Sequence, residues 1–300
     1  MRALRPIDDA PRPEHAATLD GVHYVVTGEA DAPGGTLVLL HGFCDNLTTW
    51  NRVVPALAAE HRVIAIDLPG FGRSARPAPR PLLAGYAEVV AAVLDAEGVR
   101  EPVALIGNSM GAATAMTFAT RHPDRVDALV LIDMPGLRGV PRLWRVAMSR
   151  PAELGLRTAL RAVPDAAAQF GISWAYGRIA AARPAALDPS VRQGFGLPYA
   201  VRGSVAAIVP IGRRLVRELP GADLARHVAQ SPVPVLLVFG ARDLLTPARV
   251  LRRIGRPGGA VVLPGCGHCP QVDQPSALLG EVGPFLRAAR SDVDRTARSA

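Results

Sequence analysis

The chain has 300 residues, 49% of them apolar and 20% charged, which is length enough for one large α/β domain carrying an insertion, or for two domains. Its formal net charge is +8 and it contains no lysine, but the arginines are scattered from Arg2 to Arg298 without interleaved aromatics, which argues against a nucleic-acid partner. Three cysteines, Cys44, Cys266 and Cys269, exclude a disulfide framework and suit a reducing compartment.

Residues 1–16 are rich in proline and charge and read as a flexible arm. They hold no apolar core of a signal peptide, and no run of 18 apolar residues occurs anywhere, so a cytoplasmic location is expected. Val22–Thr27 reads as a strand of a first hairpin and Thr36–Leu40 as a buried strand, each short, apolar and closed by turn residues. After the loop His41-Gly42-Phe43-Cys44-Asp45-Asn46 the pattern predicts a helix from about Trp50 to Ala59, then a strand at Arg62–Ile66. The loop Asp67-Leu68-Pro69-Gly70-Phe71-Gly72-Arg73-Ser74 precedes a helical stretch from Leu82 to Glu97.

Pro102–Pro123 then carries the most informative pattern. The apolar run Val103-Ala104-Leu105-Ile106 ends in Gly107-Asn108-Ser109-Met110-Gly111, and a small-residue helix follows. A serine on so tight a strand-to-helix turn is forced into strained backbone angles, and side chains two residues either side would collide with their surroundings. Glycine at 107 and 111 removes them. The hydroxyl then stands at a helix N-terminus, where free N–H groups favour negative charge.

Ala128–Ile132 is another buried strand, leading into Asp133-Met134-Pro135-Gly136. From 136 to 222 the alternation of strand and helix lapses into a helical, arginine- and alanine-rich segment broken by prolines. It holds six of the chain's fourteen aromatics: Trp144, Phe170, Trp174, Tyr176, Phe195 and Tyr199. The segment reads as a helical cap inserted between residues 17–135 and 223–290. Its basic stretch from Arg142 to Arg161 is interrupted by Pro151, so membrane association is not expected. The sheet resumes at Val235–Phe239, followed by Gly240-Ala241-Arg242-Asp243, a helix near Pro247–Ile254 and a strand at Ala260–Leu263. The loop Pro264-Gly265-Cys266-Gly267-His268-Cys269-Pro270 leads to a last helix over about Ser276–Arg290, with a flexible tail at 291–300. Repeated strand–helix units with buried strands call for a mostly parallel, doubly wound sheet.

In this order the motifs resemble the α/β-hydrolase fold family over roughly residues 20–135 and 223–290. His41-Gly42 is similar to its oxyanion-loop HG, Asp67–Ser74 to its D-x-x-G-x-G-x-S turn, Gly107–Gly111 to its nucleophile elbow, Gly240–Asp243 to its acid loop and Gly267-His268 to its histidine loop. The resemblance implies an α/β fold with an inserted helical cap, and a catalytic triad of Ser109, Asp243 and His268 in the family's chain order. It implies an oxyanion hole made by the backbone N–H groups of Phe43 and Met110, and no cofactor. A serine needs a base within reach, and the base needs a carboxylate on its other ring nitrogen.

Asp133 competes for the acid's place, because it too follows a strand. Cys266 and Cys269 flank His268, but two thiols and one imidazole with no second cluster do not complete a tetrahedral metal site, so no metal is expected. A serine nucleophile points to esters, with a small-molecule substrate of short-to-medium acyl chain. The elbow also resembles that of the carbon–carbon bond hydrolases of aromatic ring-cleavage pathways, which act on vinylogous 1,5-diketones. That branch's G-P-G oxyanion loop is absent here, and its substrate-binding arginine has several candidates (Arg178, Arg183 and Arg192 among them). A reading of another class is a non-catalytic binding protein of the same fold. The sequence does not indicate an oligomeric state.

Overall fold

Eight short, mostly apolar segments pair into one sheet in the computed structural model, which describes residues 15–160, 163–182, 204–253 and 259–299. In chain order the strands are β1 (His15–Leu19), β2 (Val22–Thr27), β3 (Thr36–Leu40), β4 (Arg62–Ile66), β5 (Val103–Asn108), β6 (Val126–Ile132), β7 (Val235–Gly240) and β8 (Ala260–Leu263). Their order across the sheet is β1-β2-β4-β3-β5-β6-β7-β8. The first two pairings, β1 with β2 and β2 with β4, are antiparallel; every later one is parallel.

The helices are α1 (Val54–Ala58), α2 (Leu82–Ala96), α3 (Met110–Arg121), α4 (Arg142–Ala147), α5 (Arg150–Leu160), α6 (Asp165–Ala180), α7 (Ser204–Glu218), α8 (Leu224–Ala229), α9 (Pro270–Asp273) and α10 (Pro275–Ser299). Strand alternation sorts the core into two layers. Along β3, Val38 and Leu40 join one apolar layer while Leu37 and Leu39 join the other; β4 divides the same way, Ile64 and Ile66 from Val63 and Ala65. Helices α2 and α3 close the first layer. Helix α10 closes the second with Leu278, Val282 and Leu286, spaced four apart on one face. The sheet is therefore covered on both sides, as near-continuous apolar strands require.

Four departures from the expected elements have local causes. Strand β1 lacks an apolar run and forms because Asp20 and Gly21, both at positive φ (47° and 77°), close a two-residue hairpin onto β2. The ordered chain thus begins inside the stretch read as an arm, whose first fourteen residues lie outside the described ones. The single helix expected at Trp50–Ala59 is a 3₁₀ turn, Leu47–Trp50, capped by the Asn46 side chain, followed by α1 with proline in its first turn. The helix expected near Pro247 is a 3₁₀ segment, Ala248–Arg253. At the other end α10 runs on to Ser299, so residues 291–299 continue a helix instead of forming a tail.

Between β6 and β7 the described residues include α4 to α7 and no strand. No helix among the described residues is long and apolar enough to cross a membrane.

Candidate active site

The carboxyl ends of β3, β5, β6, β7 and β8 deliver five loops to one edge of the sheet, the place where open parallel sheets gather functional groups. At the end of β5, Ser109 has φ 53° and ψ −114°, a conformation L-residues adopt only when their surroundings enforce it. The enforcement comes from packing. A Cβ on Gly107 would sit 2.4 Å from the Gly111 carbonyl carbon, and one on Gly111 would sit 2.1 Å from the Leu40 carbonyl oxygen. Both obstacles are backbone and cannot swing aside. Gly111→Ala is therefore expected to lose stability at or beyond the top of the ~1–3 kcal/mol overpacking range, measured as a lower urea midpoint with unchanged m value.

His268, after β8, is buried, and its Nδ1 lies 2.9 Å from Asp243 Oδ2. Asp243, after β7, is held by four donors: the His268 ring, the Leu245 N–H at 2.7 Å, the Thr246 N–H at 3.1 Å and the Thr246 hydroxyl. Burial raises the Asp243 carboxyl, but the histidine and these hydrogen bonds outweigh it and bring the pKa down to about 2. A folded-state value below the unfolded one, 3.8, adds stability above that unfolded value, and this is lost as pH falls through about 2. The contribution is roughly 2 kcal/mol. In acid titration, Asp243→Asn is expected to flatten the stability loss between these two values relative to the parent chain.

Asn108 joins the histidine loop to the elbow. Its Nδ2 donates to the His268 carbonyl at 2.9 Å, and the Cys269 thiol approaches its Oδ1 at 3.6 Å. The oxyanion-loop segment lies on the other side, where a Cβ on Gly42 would stand 3.5 Å from the Ser109 Cβ. His41 holds that loop. Its Nδ1 donates to the Gly42 carbonyl at 2.7 Å while its Nε2 accepts the Leu68 N–H at 3.0 Å. Burial lowers its pKa and keeps the ring neutral, as these bonds require. Among the described residues, neither the Phe43 nor the Met110 backbone N–H donates a hydrogen bond.

Ser109 opens onto a cavity of about 280 Å³ lined by Phe43, Met134, Trp144, Leu215 and Val250, with Arg138 and Arg249 at its exposed edge. Among the described residues its side chain makes no hydrogen bond, to His268 or any other group. Catalytic contacts of this kind are commonly loose before substrate arrives. Of the aromatics in the inserted segment, Trp144 meets Phe43 edge-on at 6.4 Å between centroids. Tyr176 reaches Cys269 Sγ at 3.8 Å. Phe170 and Trp174 face solvent, the latter beneath the Arg178 guanidinium at 4.8 Å. Arg183, Arg192, Phe195 and Tyr199 lie outside the described residues.

Asp133 closes the end of β6 beside this group, at φ 46° and fully buried. One oxygen each from Asp133 and Asp243 and a ring nitrogen of His268 lie within 4.8 Å of one another. Sequence order does not reveal that the two competing acids are neighbours, or that Asn108 and Thr246 brace the site.

Residues 35–275 match the model of the alpha/beta hydrolase fold family. This chain is an α/β-hydrolase. It is 32% identical over 273 residues to the dihydrolipoyllysine-residue acetyltransferase component of the acetoin cleaving system of Pseudomonas putida, covering 86% of this α/β-hydrolase and 65% of that longer protein. It is 31% identical to 2-hydroxymuconate semialdehyde hydrolase of Pseudomonas sp. strain CF600, over 85% of this chain and 88% of that one. With the pimeloyl-[acyl-carrier protein] methyl ester esterase of Edwardsiella ictaluri the identity is 28%, over 83% and 92%. A thermophilic esterase from Thermogutta terrifontis shares the fold, with a TM-score of 0.73 at 23% identity over 90% of this α/β-hydrolase and 94% of that chain.

Proposed function

We propose that this α/β-hydrolase cleaves a carboxylic ester of short-to-medium acyl chain by way of an acyl-enzyme on Ser109. The observation that carries the reading is a strained serine opening on an apolar cavity, with Asn108 tying the loop of a buried His268–Asp243 pair to the turn that bears it.

In this reading His268 takes the Ser109 proton through Nε2, since Nδ1 is committed to Asp243. The alkoxide adds to the ester carbonyl. The resulting oxyanion is met by the N–H groups of Phe43 and Met110, each such donor being worth about 3–4 kcal/mol of transition-state stabilisation. The imidazolium returns the proton to the leaving alkoxide, and the alcohol departs. Water, deprotonated by the same imidazole, releases the acid and restores the hydroxyl. The inserted helices act as a cap: Trp144 and Leu215 supply apolar cover for the acyl chain and exclude water. This scheme needs no cofactor, and its partner is the small-molecule substrate alone.

A second reading is carbon–carbon bond hydrolysis of a vinylogous 1,5-diketone. It draws on the 2-hydroxymuconate semialdehyde hydrolase relative and on Arg138 and Arg249, placed where a carboxylate on the substrate would enter. A panel of p-nitrophenyl esters of graded chain length, run beside such a diketone, separates the two. Ester turnover with an optimum at short or medium chains is the expected result, and turnover of the diketone alone would overturn it. Failure of the folded protein to take a fluorophosphonate label would instead favour a non-catalytic binding protein.

A further inference from the structure

Two carboxyl groups buried together cannot both carry full charge without compensation. Asp133 and Asp243 are such a pair, 0% and 4% exposed, with oxygens within 4.8 Å. Asp243 is well supplied with donors. Asp133 is not: its Oδ1 accepts the Gly240 N–H at 3.0 Å, and its Oδ2, fully buried, has no hydrogen-bond partner among the described residues. Of the neighbouring groups, the His268 ring in the same cluster is committed to Asp243. Thr246 turns its hydroxyl to the Asp133 backbone carbonyl at 3.0 Å and to Asp243, and Cys266 and Cys269 stand nearby as thiols that burial keeps protonated.

We propose that Asp133 and Asp243 hold one proton between them: Asp133 is a neutral carboxylic acid that donates from Oδ2 to Asp243, and so positions the carboxylate that bonds His268. The proton turns the unpartnered oxygen into a donor beside the neighbouring carboxylate. It leaves a single negative charge for one imidazolium, which is all that proton transfer from Ser109 calls for. Burial, then the neighbouring Asp243 charge, push the Asp133 carboxyl well above the usual carboxylate range, in agreement with this assignment. A cation is the other way to neutralise such a pair. Here the N–H and O–H groups of Leu245, Thr246 and His268 already point their hydrogens at Asp243 and would repel a metal ion. Asp133 is a positioning residue in this scheme, since it meets the reacting atoms only through Asp243 and His268.

The consequence for rate rests on the hydrolase reading above; the proton's location does not, and it is read in the resting protein. Infrared difference spectra between the parent chain and Asp133→Asn near neutral pH are expected to show loss of one protonated-carboxyl carbonyl band. Asparagine tolerates positive φ and offers a neutral donor of the same shape. Asp133→Asn is therefore expected to restore most of the activity that Asp133→Ala loses, the latter falling about tenfold as one buried hydrogen bond is removed.

The pH–rate profile separates the two charge states. If Asp133 is neutral, the acid limb of kcat/KM in Asp133→Asn superimposes on that of the parent, and the alkaline limb set by Asp133 ionisation is gone. If Asp133 is an anion, removing it disfavours the imidazolium and moves the acid limb to lower pH. Absence of the carboxylic acid band, a displaced acid limb, or a stoichiometric divalent cation lost with Asp133→Asn would each overturn the assignment. A chain that shows the band but no hydrolysis would leave the shared proton standing and sink the esterase reading instead.

Discussion

Ser109→Ala is expected to abolish fluorophosphonate labelling and to cut ester turnover by about 10⁴-fold or more, leaving what the proposed oxyanion donors and the cavity achieve alone. The residual rate is informative, because the Phe43 and Met110 N–H groups are backbone and survive the change. Fold and stability should survive as well, since alanine at 109 removes one oxygen that makes no hydrogen bond among the described residues and frees nothing in the packing around Gly107 and Gly111. Circular dichroism and the urea midpoint verify the fold, and labelling read by intact mass verifies the chemistry. A Ser109→Ala chain that still formed a phosphonyl adduct would place the nucleophile elsewhere.

Asp243→Asn is the second large effect, about 10⁴-fold in kcat with KM little changed. The amide keeps the volume and can still accept the Leu245 N–H. Opposite His268 Nδ1 it presents either a dipole too weak to stabilise the imidazolium or an N–H that forces the wrong tautomer. Burial, the larger cause of the raised Asp133 carboxyl, persists in the variant and opposes its service as the imidazole's anionic partner. Steady-state kinetics on the best ester of the graded series measures the loss. A loss below about tenfold, the size of one ordinary hydrogen bond, would move the role of the acid to Asp133.

Much of this architecture was legible in the one-dimensional pattern. The strands β2 to β8 are short apolar runs with turn residues at their ends, and in β3 to β7 burial on both faces leaves no polar alternation to confuse them. Ser109 could be picked out because its turn demands glycine at both 107 and 111, although only the Gly107 clash lies within those five residues, the Gly111 one being with Leu40 of β3. Strand β1 was missed because it is an edge strand with no buried residue, held by its pairing with β2. The Asp20-Gly21 turn was its only signal. Helix α10 extended past the expected end because no glycine or proline after Pro284 stops it.

The sequence by itself determined which candidate groups are present and their order along the chain, since each sits in a loop directly after a strand. It favoured Asp243 over Asp133 only by the fuller motif of Gly240–Asp243, because both acids follow buried strands of similar composition. Only the tertiary structure decided that Asp243 bonds His268 and that Asp133 stands behind it with one oxygen unpartnered. The same holds for Asn108, which clamps a loop 160 positions further along the chain, and for Trp144, which faces the cavity while Phe170 and Trp174 face water. The physical reason is common to all of these. Propensity and sterics act between near neighbours, whereas charge compensation and cavity shape depend on which distant loops the sheet order places side by side.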